Sequence, residues 1–352
     1  MSLQKVPILR ITLPFASAES VCGKTFCGSH FCSPDEELCL GGTPVLRAAF
    51  ISLSESRMLR RTAEQSALGL RVSSRFVAGT QVEDALRVAK RLNSAGMSVS
   101  IDNLGENVTT AEEAERSAGI YRQLLAEISL RTLNANISVK LTHMGLDVDS
   151  QLAFKNVSTL VAQAASSRPR NFVRVDMEGS AYTGRTLELV HRLHQNPEFK
   201  GCVGAVIQSY LHRSEADVRK LLAAGIRIRL CKGAYKEPPE IAYQSKREVD
   251  ANYIKLMKIL LKSGTYHGLA THDESLIREA QAFSIRENIP RDAFEFQMLY
   301  GIRRDLQERL VREGWRMRVY VPFGTAWYPY LMRRLAERPA NVWFVVKNLL
   351  RG

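Results

Sequence analysis

The chain reads as an α/β protein built on a closed (βα)8 TIM-like barrel, with extra N-terminal helices and an irregular N-terminal arm. Three observations predict it. Short apolar runs recur at MSVSI, ISVKL, FVRVD, VGAVI, IRIRL, YHGLA, AFEFQ and RVYVP. Between them lie segments whose apolar residues fall at helical spacing, such as TAEEAERSAGIYRQLLAEI and SEADVRKLLAAG. Eight such units fill about 250 residues, the size of a closed barrel. Strand alternating with helix also calls for parallel strands joined by right-handed crossovers. A doubly wound open sheet would not need eight units of such even length.

From the N-terminus, residues 1–45 carry scattered Gly, Pro, Ser and Cys without sustained periodicity and read as an irregular or disordered arm. Residues 46–352 form the barrel and its preceding helices. The pattern turns helical from Pro44 to Phe76, with a basic segment at Arg57, Arg60 and Arg61. A further helix over Val82 to Ser94 stops at Gly96, where a C-terminal glycine belongs. Cys22, Cys27, Cys32 and Cys39 cluster in the arm, but no C-x2-C pair is present, so no metal site is expected. Residues 18–25 contain the spacing A-x4-G-K-T without the strand and helix that a phosphate-binding loop needs.

The formal net charge is +13. Its basic residues are scattered through mixed-charge stretches such as SKREVDANYIKLMK, which argues against a nucleic-acid partner. No apolar run approaches the roughly 18 residues of a membrane span. The segment VPILRITLPFASA faintly resembles an export signal, but Arg10 and two prolines interrupt it.

A barrel of this kind carries its chemistry at the C-terminal strand ends. Those ends hold Asp102 to Glu106, Lys140, Asp176 to Glu178, Gln208 to Tyr210, Arg229, Lys232, Tyr235, Thr271 to Asp273, Glu295, Gln297 and Tyr320. Asp102, Glu178 and Glu295 fit plain helix capping or ion pairing as well as chemistry. Lys140 is harder to place without a role, because a buried ammonium needs a carboxylate or an anion, and Asp176 is the expected partner. In the last helix Tyr330, Arg333, Arg334 and Glu337 share one face. Adjacent guanidinium forks suit bidentate capture of a carboxylate or phosphate.

The segments VRVDMEGSAYT, VIQSYLHRSEADV, RLCKGAYKEP, ATHDE, FEFQMLYGIR and VYVPFG…WYPYLMRRLAERPAN together resemble the catalytic core of proline dehydrogenases, over about residues 45–348. The resemblance extends to the corresponding domain of bifunctional proline utilisation flavoproteins, but no aldehyde dehydrogenase portion follows the barrel, as in a single-function bacterial enzyme. It implies FAD over the barrel mouth, hydride transfer from L-proline to flavin N5, 1-pyrroline-5-carboxylate as product and a membrane quinone as acceptor. Arg333 and Arg334 would then grip the proline carboxylate, with Glu337 and Tyr320 shaping the pocket. Lys140 and Asp176 would lie beneath the flavin and substrate rings, while Tyr235 and Leu230 would pack near the reacting face. Glu106 would pair with Arg333 as a gate. Gln208, Arg229, Lys232, Gly233, Ala234, Thr271, His272, Gln297 and Tyr300 would fall among the FAD contacts. Tyr300 and Gly301 stand where bifunctional relatives carry a histidine and a glycine.

A cytoplasmic protein is expected, peripheral on an anionic membrane face, with a separate 1-pyrroline-5-carboxylate dehydrogenase as a further partner. Three rivals stay open: a relative acting on hydroxyproline or another cyclic imino acid, a lipid-binding barrel without catalysis, and a phosphate-binding barrel lyase. The last needs a glycine-rich site after strands seven and eight, where only Gly301 and Gly324 stand.

Overall fold

The computed structural model describes residues 73–105 and 108–337, with Ser66 and Gly69 before them, and side chains as far as residue 334. The expected arm over 1–45, most of the helical stretch before Phe76, and Glu106 lie outside the described residues. So does the side chain of Glu337.

Strand and helix alternate without interruption. The order is α1 (Val82–Ser94), β1 (Ser98–Asn103), α2 (Ala111–Leu130), β2 (Ala135–Val139), α3 (Ser150–Ser166), β3 (Val173–Val175), α4 (Ser180–Gln195) and β4 (Val203–Gln208). It continues with α5 (Ser214–Ala223), β5 (Arg227–Cys231), α6 (Lys246–Leu261), β6 (His267–Ala270), α7 (Glu274–Arg286), β7 (Phe294–Leu299), α8 (Arg304–Arg312), β8 (Met317–Phe323) and α9 (Trp327–Glu337). The strands close in sequence order. β8 returns beside β1 in parallel, from Ser98 opposite Arg318 to Asn103 opposite Phe323. The closed barrel is the expected fold, and the open-sheet alternative is excluded by that last pairing.

Local chemistry starts the helices. Thr110 accepts from the Glu113 amide, Asp149 from Gln151 and Asp273 from Ser275. At α6 a reciprocal box joins Ser245 and Glu248. Each satisfies amides that the first helical turn leaves unpaired.

The period of two along each strand sorts the side chains. Val99, Ile101, Ile137, Val139, Val173, Val175, Ile228, Leu230, Phe294, Phe296, Val319 and Val321 belong to one buried core with the helices. Between them the alternate positions carry Ser100, Asp102, Ser138, Arg174, Arg229, Glu295, Gln297, Arg318 and Tyr320, all lining the lumen. Barrels of this class usually fill that space with branched apolar layers. Here it is filled by hydrogen-bonded charge. Room is made by β4, where a Cβ on Gly204 would stand 2.3 Å from the Arg227 carbonyl and 2.9 Å from Arg174 Nη1.

Candidate active site

Arg229 organises the upper lumen. From β5 its Nη1 donates to Asp176 Oδ1 (2.7 Å) and Ser138 Oγ (3.1 Å), and its Nη2 to Ser100 Oγ (3.2 Å). Its Nε donates to Gln297 Oε1 at 2.5 Å. One guanidinium thus ties together side chains from β1, β2, β7 and the end of β3. Asp176 also accepts from Ser138 Oγ (2.7 Å) and from the Tyr320 hydroxyl (2.9 Å), and the Arg229 carbon lies 5.2 Å from the Tyr320 ring centre. Arg229, Asp176, Gln297 and Tyr320 therefore meet in one network.

Lys140 corrects the expectation. It stands one residue beyond β2, and its Nζ donates to Asp102 Oδ2 at 3.0 Å, so the ion-pair partner is Asp102 and not Asp176. Asp176 is already engaged by Arg229, and the mouth brings the ends of β1 and β2 side by side. Asp102 is 1% exposed and also accepts from the Tyr121 hydroxyl at 3.1 Å. Tyr121 in turn accepts from the Asn103 amide (3.0 Å). Burial raises the Asp102 carboxyl above its usual range, while Lys140 pulls the other way. Burial, with Asp102 and Asp176 close by, also pushes the Tyr320 and Tyr121 phenols well up.

Leu230 also departs from expectation. It is fully buried and lies on the opposite face of β5 from Arg229, in the core beneath the helices. A period of two leaves it no access to the reacting face that Arg229 lines.

The remaining rim residues fall at the same mouth. Lys232 bridges Asp250 (2.6 Å) and Asp273 (2.9 Å). Gly233 turns with a φ of +120°, leading into exposed Ala234 and Tyr235. Gln208 donates to the Met177 carbonyl (3.2 Å), but its buried Oε1 has no partner among the described residues. Thr271 Oγ1 accepts from the Asp273 amide at 3.0 Å, and His272 Nε2 from the Leu299 amide at 2.9 Å. The Tyr300 hydroxyl accepts from Arg91 of α1 at 2.7 Å, so this contact runs to a helix and not into the lumen.

Above the rim, α9 packs Trp327, Tyr328, Tyr330, Leu331 and Met332 against Phe76, Val77 and Leu104. Arg333 and Arg334 are half-buried on this helix, and the Arg334 guanidinium lies 5.3 Å from the Tyr330 ring centre. The roles expected of Glu106 and Glu337 fall outside the described side chains.

Several site residues escaped sequence reasoning. Ser100 and Ser138 could have been found from the alternation in SVSID and NISVK. Tyr121 and His143 leave no such trace. His143 is 6% exposed and meets Tyr121 edge-on, and burial, with Lys140 near, lowers its imidazole to about 4.

The closed barrel and the ionic network at its C-terminal mouth define an α/β barrel with enzyme-like architecture, its ionisable groups gathered where this fold does chemistry. Comparison with known proteins narrows the class. The family model for proline dehydrogenase matches residues 85–347. Proline dehydrogenase 1 of Bacillus subtilis is 41% identical over 308 residues, covering 87% of this chain and 100% of that protein. Proline dehydrogenase of Deinococcus radiodurans is 38% identical over 310 residues, covering 87% of this chain and 98% of its own length. A crystal structure of proline utilization A from Bdellovibrio bacteriovorus, inactivated by N-propargylglycine, superposes with a TM-score of 0.73 at 26% identity. It covers 83% of this chain, which spans 36% of that longer one. The chain belongs to the proline dehydrogenase family.

Proposed function

We propose that this protein oxidises L-proline to 1-pyrroline-5-carboxylate, with FAD held across the C-terminal mouth and a membrane quinone as final electron acceptor. The observation that carries this reading is membership of the proline dehydrogenase family, and a buried guanidinium in the lumen, Arg229, and two adjacent arginines on α9, Arg333 and Arg334, support it. A flavin ring edge presents hydrogen-bond donors and acceptors, and Gln208 Oε1 at the mouth is a buried acceptor with no partner among the described residues. Gln208, Arg229, Lys232, Gly233, Ala234, Thr271, His272 and Gln297 would hold the group, with Tyr300 at its margin.

When bound, the flavin supplies the acceptor for hydride leaving the ring carbon beside the proline nitrogen. Arg333 and Arg334 fix that carbon by clamping the carboxylate, an alignment that can contribute several kcal/mol to rate. Tyr320 and Tyr235 shape the space around the ring, and Arg229 is placed to stabilise negative charge appearing near it. The amine gives up hydride only when neutral. Lys140, buried against Asp102, holds the local balance of charge beneath the substrate and so helps set the pH at which the amine deprotonates. The net charge of +13 supports docking on an anionic leaflet where a quinone is met. A separate 1-pyrroline-5-carboxylate dehydrogenase would take the product onward.

The test is the visible spectrum of the purified protein before and after anaerobic proline. Flavin absorption that bleaches with proline is expected. Flavin that bleaches only with hydroxyproline moves the substrate to a relative, and a colourless protein that FAD cannot reconstitute refutes the reading.

A further inference from the structure

At the opposite end of the barrel from the charged mouth, a surface cavity of about 350 Å3 opens between the end of α2, the start of β2 and the segment entering β3. Its lining includes Thr132, Asn136, Arg170, Phe172, Arg227 and Arg318. Arg174 of β3 lies just behind; its guanidinium and that of Arg227 are 4.6 and 4.5 Å from the Phe172 ring centre, and Arg227 is also 4.9 Å from that of Tyr266.

These cations are poorly matched by carboxylates. Arg318 is paired with Glu295 at 2.7 Å, so Glu295, the second residue of β7, belongs to this end of the barrel and not to the C-terminal strand ends where the sequence placed it. Arg174 donates to two backbone carbonyls, Ala205 (2.8 Å) and Arg227 (2.7 Å), and Arg170 donates to that of Glu198. Arg227 makes no side-chain hydrogen bond or ion pair with the described residues, and the Nε atoms of Arg174 and Arg227 are both buried without partners. Burial lowers both guanidiniums from their usual range, as expected for charge withdrawn from water without a counter-ion. Of the four guanidiniums at or just behind this cavity, only that of Arg318 is ion-paired with a carboxylate among the described residues. The N-terminal face of such a barrel normally contributes stability alone. Unpaired, partly buried like charges work against that role.

We propose that this cavity binds a phosphate group, as free phosphate or a small phosphomonoester, independently of the C-terminal mouth. The excess of more than one positive charge favours a dianion over a monocarboxylate. Arg227 is the central ligand, because it lines the cavity and, among the described residues, its guanidinium meets only the faces of Phe172 and Tyr266, with no carboxylate or carbonyl bonded to it. Arg318 adds a second cation already oriented by Glu295, and Arg170 closes the rim. Thr132 and Asn136 bring polar groups that suit the remaining phosphate oxygens.

Isothermal titration of the full-length protein, as purified, with inorganic phosphate at fixed ionic strength tests this. Saturable binding is expected, at least tenfold weaker in Arg227→Gln and unchanged in Arg333→Met. Acetate should bind at least tenfold more weakly than phosphate, and glycerol 3-phosphate tighter than phosphate would identify a monoester as the preferred form. Absence of saturable binding in the wild type overturns the proposal. So does binding that Arg227→Gln keeps and Arg333→Met loses, since the anion would then sit at the other mouth. If Arg227→Gln does not fold, Arg170→Gln at the exposed rim replaces it. A loss of threefold or more is then expected, and unchanged affinity overturns the proposal.

Discussion

Buried charge in the upper lumen is tolerated because each group has a partner within hydrogen-bonding distance. Asp102 meets Lys140 at 3.0 Å and Tyr121 at 3.1 Å, and together they offset its loss of water. Tyr121→Phe would remove a donor from Asp102 and an acceptor from the Asn103 amide. A destabilisation of about 1–3 kcal/mol is expected, read as a lower denaturation midpoint, together with reduced proline turnover. A variant as stable and active as the wild type would show that Tyr121 only fills space. On α9, Arg333→Met and Arg334→Met should each remove a charged hydrogen bond of about 1.5–3 kcal/mol, raising the proline KM roughly 10- to 100-fold. Flavin content should stay at the wild-type level; its loss would mean that these arginines hold the cofactor instead.

Among the elements, β4 depends most visibly on a single residue. A Cβ at Gly204 would meet the Arg227 carbonyl at 2.3 Å, backbone that cannot move without shifting β5. Gly204→Ala is therefore expected to cost about 1–3 kcal/mol. Gly184 in α4 is the control, since nothing lies within 4 Å of an added Cβ there. Gly184→Ala should be neutral or stabilising by up to about 1 kcal/mol. Equal melting temperatures for the two variants would refute the steric reading of β4.

For the molecule as a whole, the buried imidazoles of His143 and His267 contribute most clearly to the response to acid. Burial lowers His143 to about 4 and His267 to about 3, with Lys140 adding to the first effect and Arg174 and Arg227 to the second. The unfolded chain, with histidines near 6.5, binds more protons than the native one between these values. Stability from both groups is therefore complete above about pH 6.5 and is lost as pH falls toward 4 and 3, on the order of 3 to 5 kcal/mol for each if fully expressed. Thermal midpoints measured from pH 7 to 4 should fall, and replacing His267 by Asn should flatten the slope if the variant folds. A slope unaffected by the replacement would assign the acid response to other groups. No helix among the described residues is long and apolar enough to cross a membrane. The proposed attachment through net positive charge predicts binding to anionic liposomes that weakens with salt. Equal binding to neutral liposomes would remove it.

Some of this was decided by the sequence alone. Apolar alternation at periods of two and 3.6 is a local property, so the eight strands, their helices and the barrel they close were legible, as were the rim positions of Lys140, Asp176, Arg229, Lys232, Gln297 and Tyr320. Membership of the family was legible in the six ordered segments, because each pairs a strand end with its loop. Partnership was not. Whether Lys140 meets Asp102 or Asp176 depends on the heights at which neighbouring strands end in a closed and staggered barrel. The contact of Tyr300 with Arg91 depends on where α1 packs. Leu230 could have been turned away from the site by counting alternation from Arg229, whereas Tyr121 reaches Asp102 only because α2 folds back across β1. The unpaired arginines at the far end are visible as IRIRL and VRVD, but their lack of counter-ions is not. That depends on every residue surrounding them, and only closure of the barrel brings those residues together.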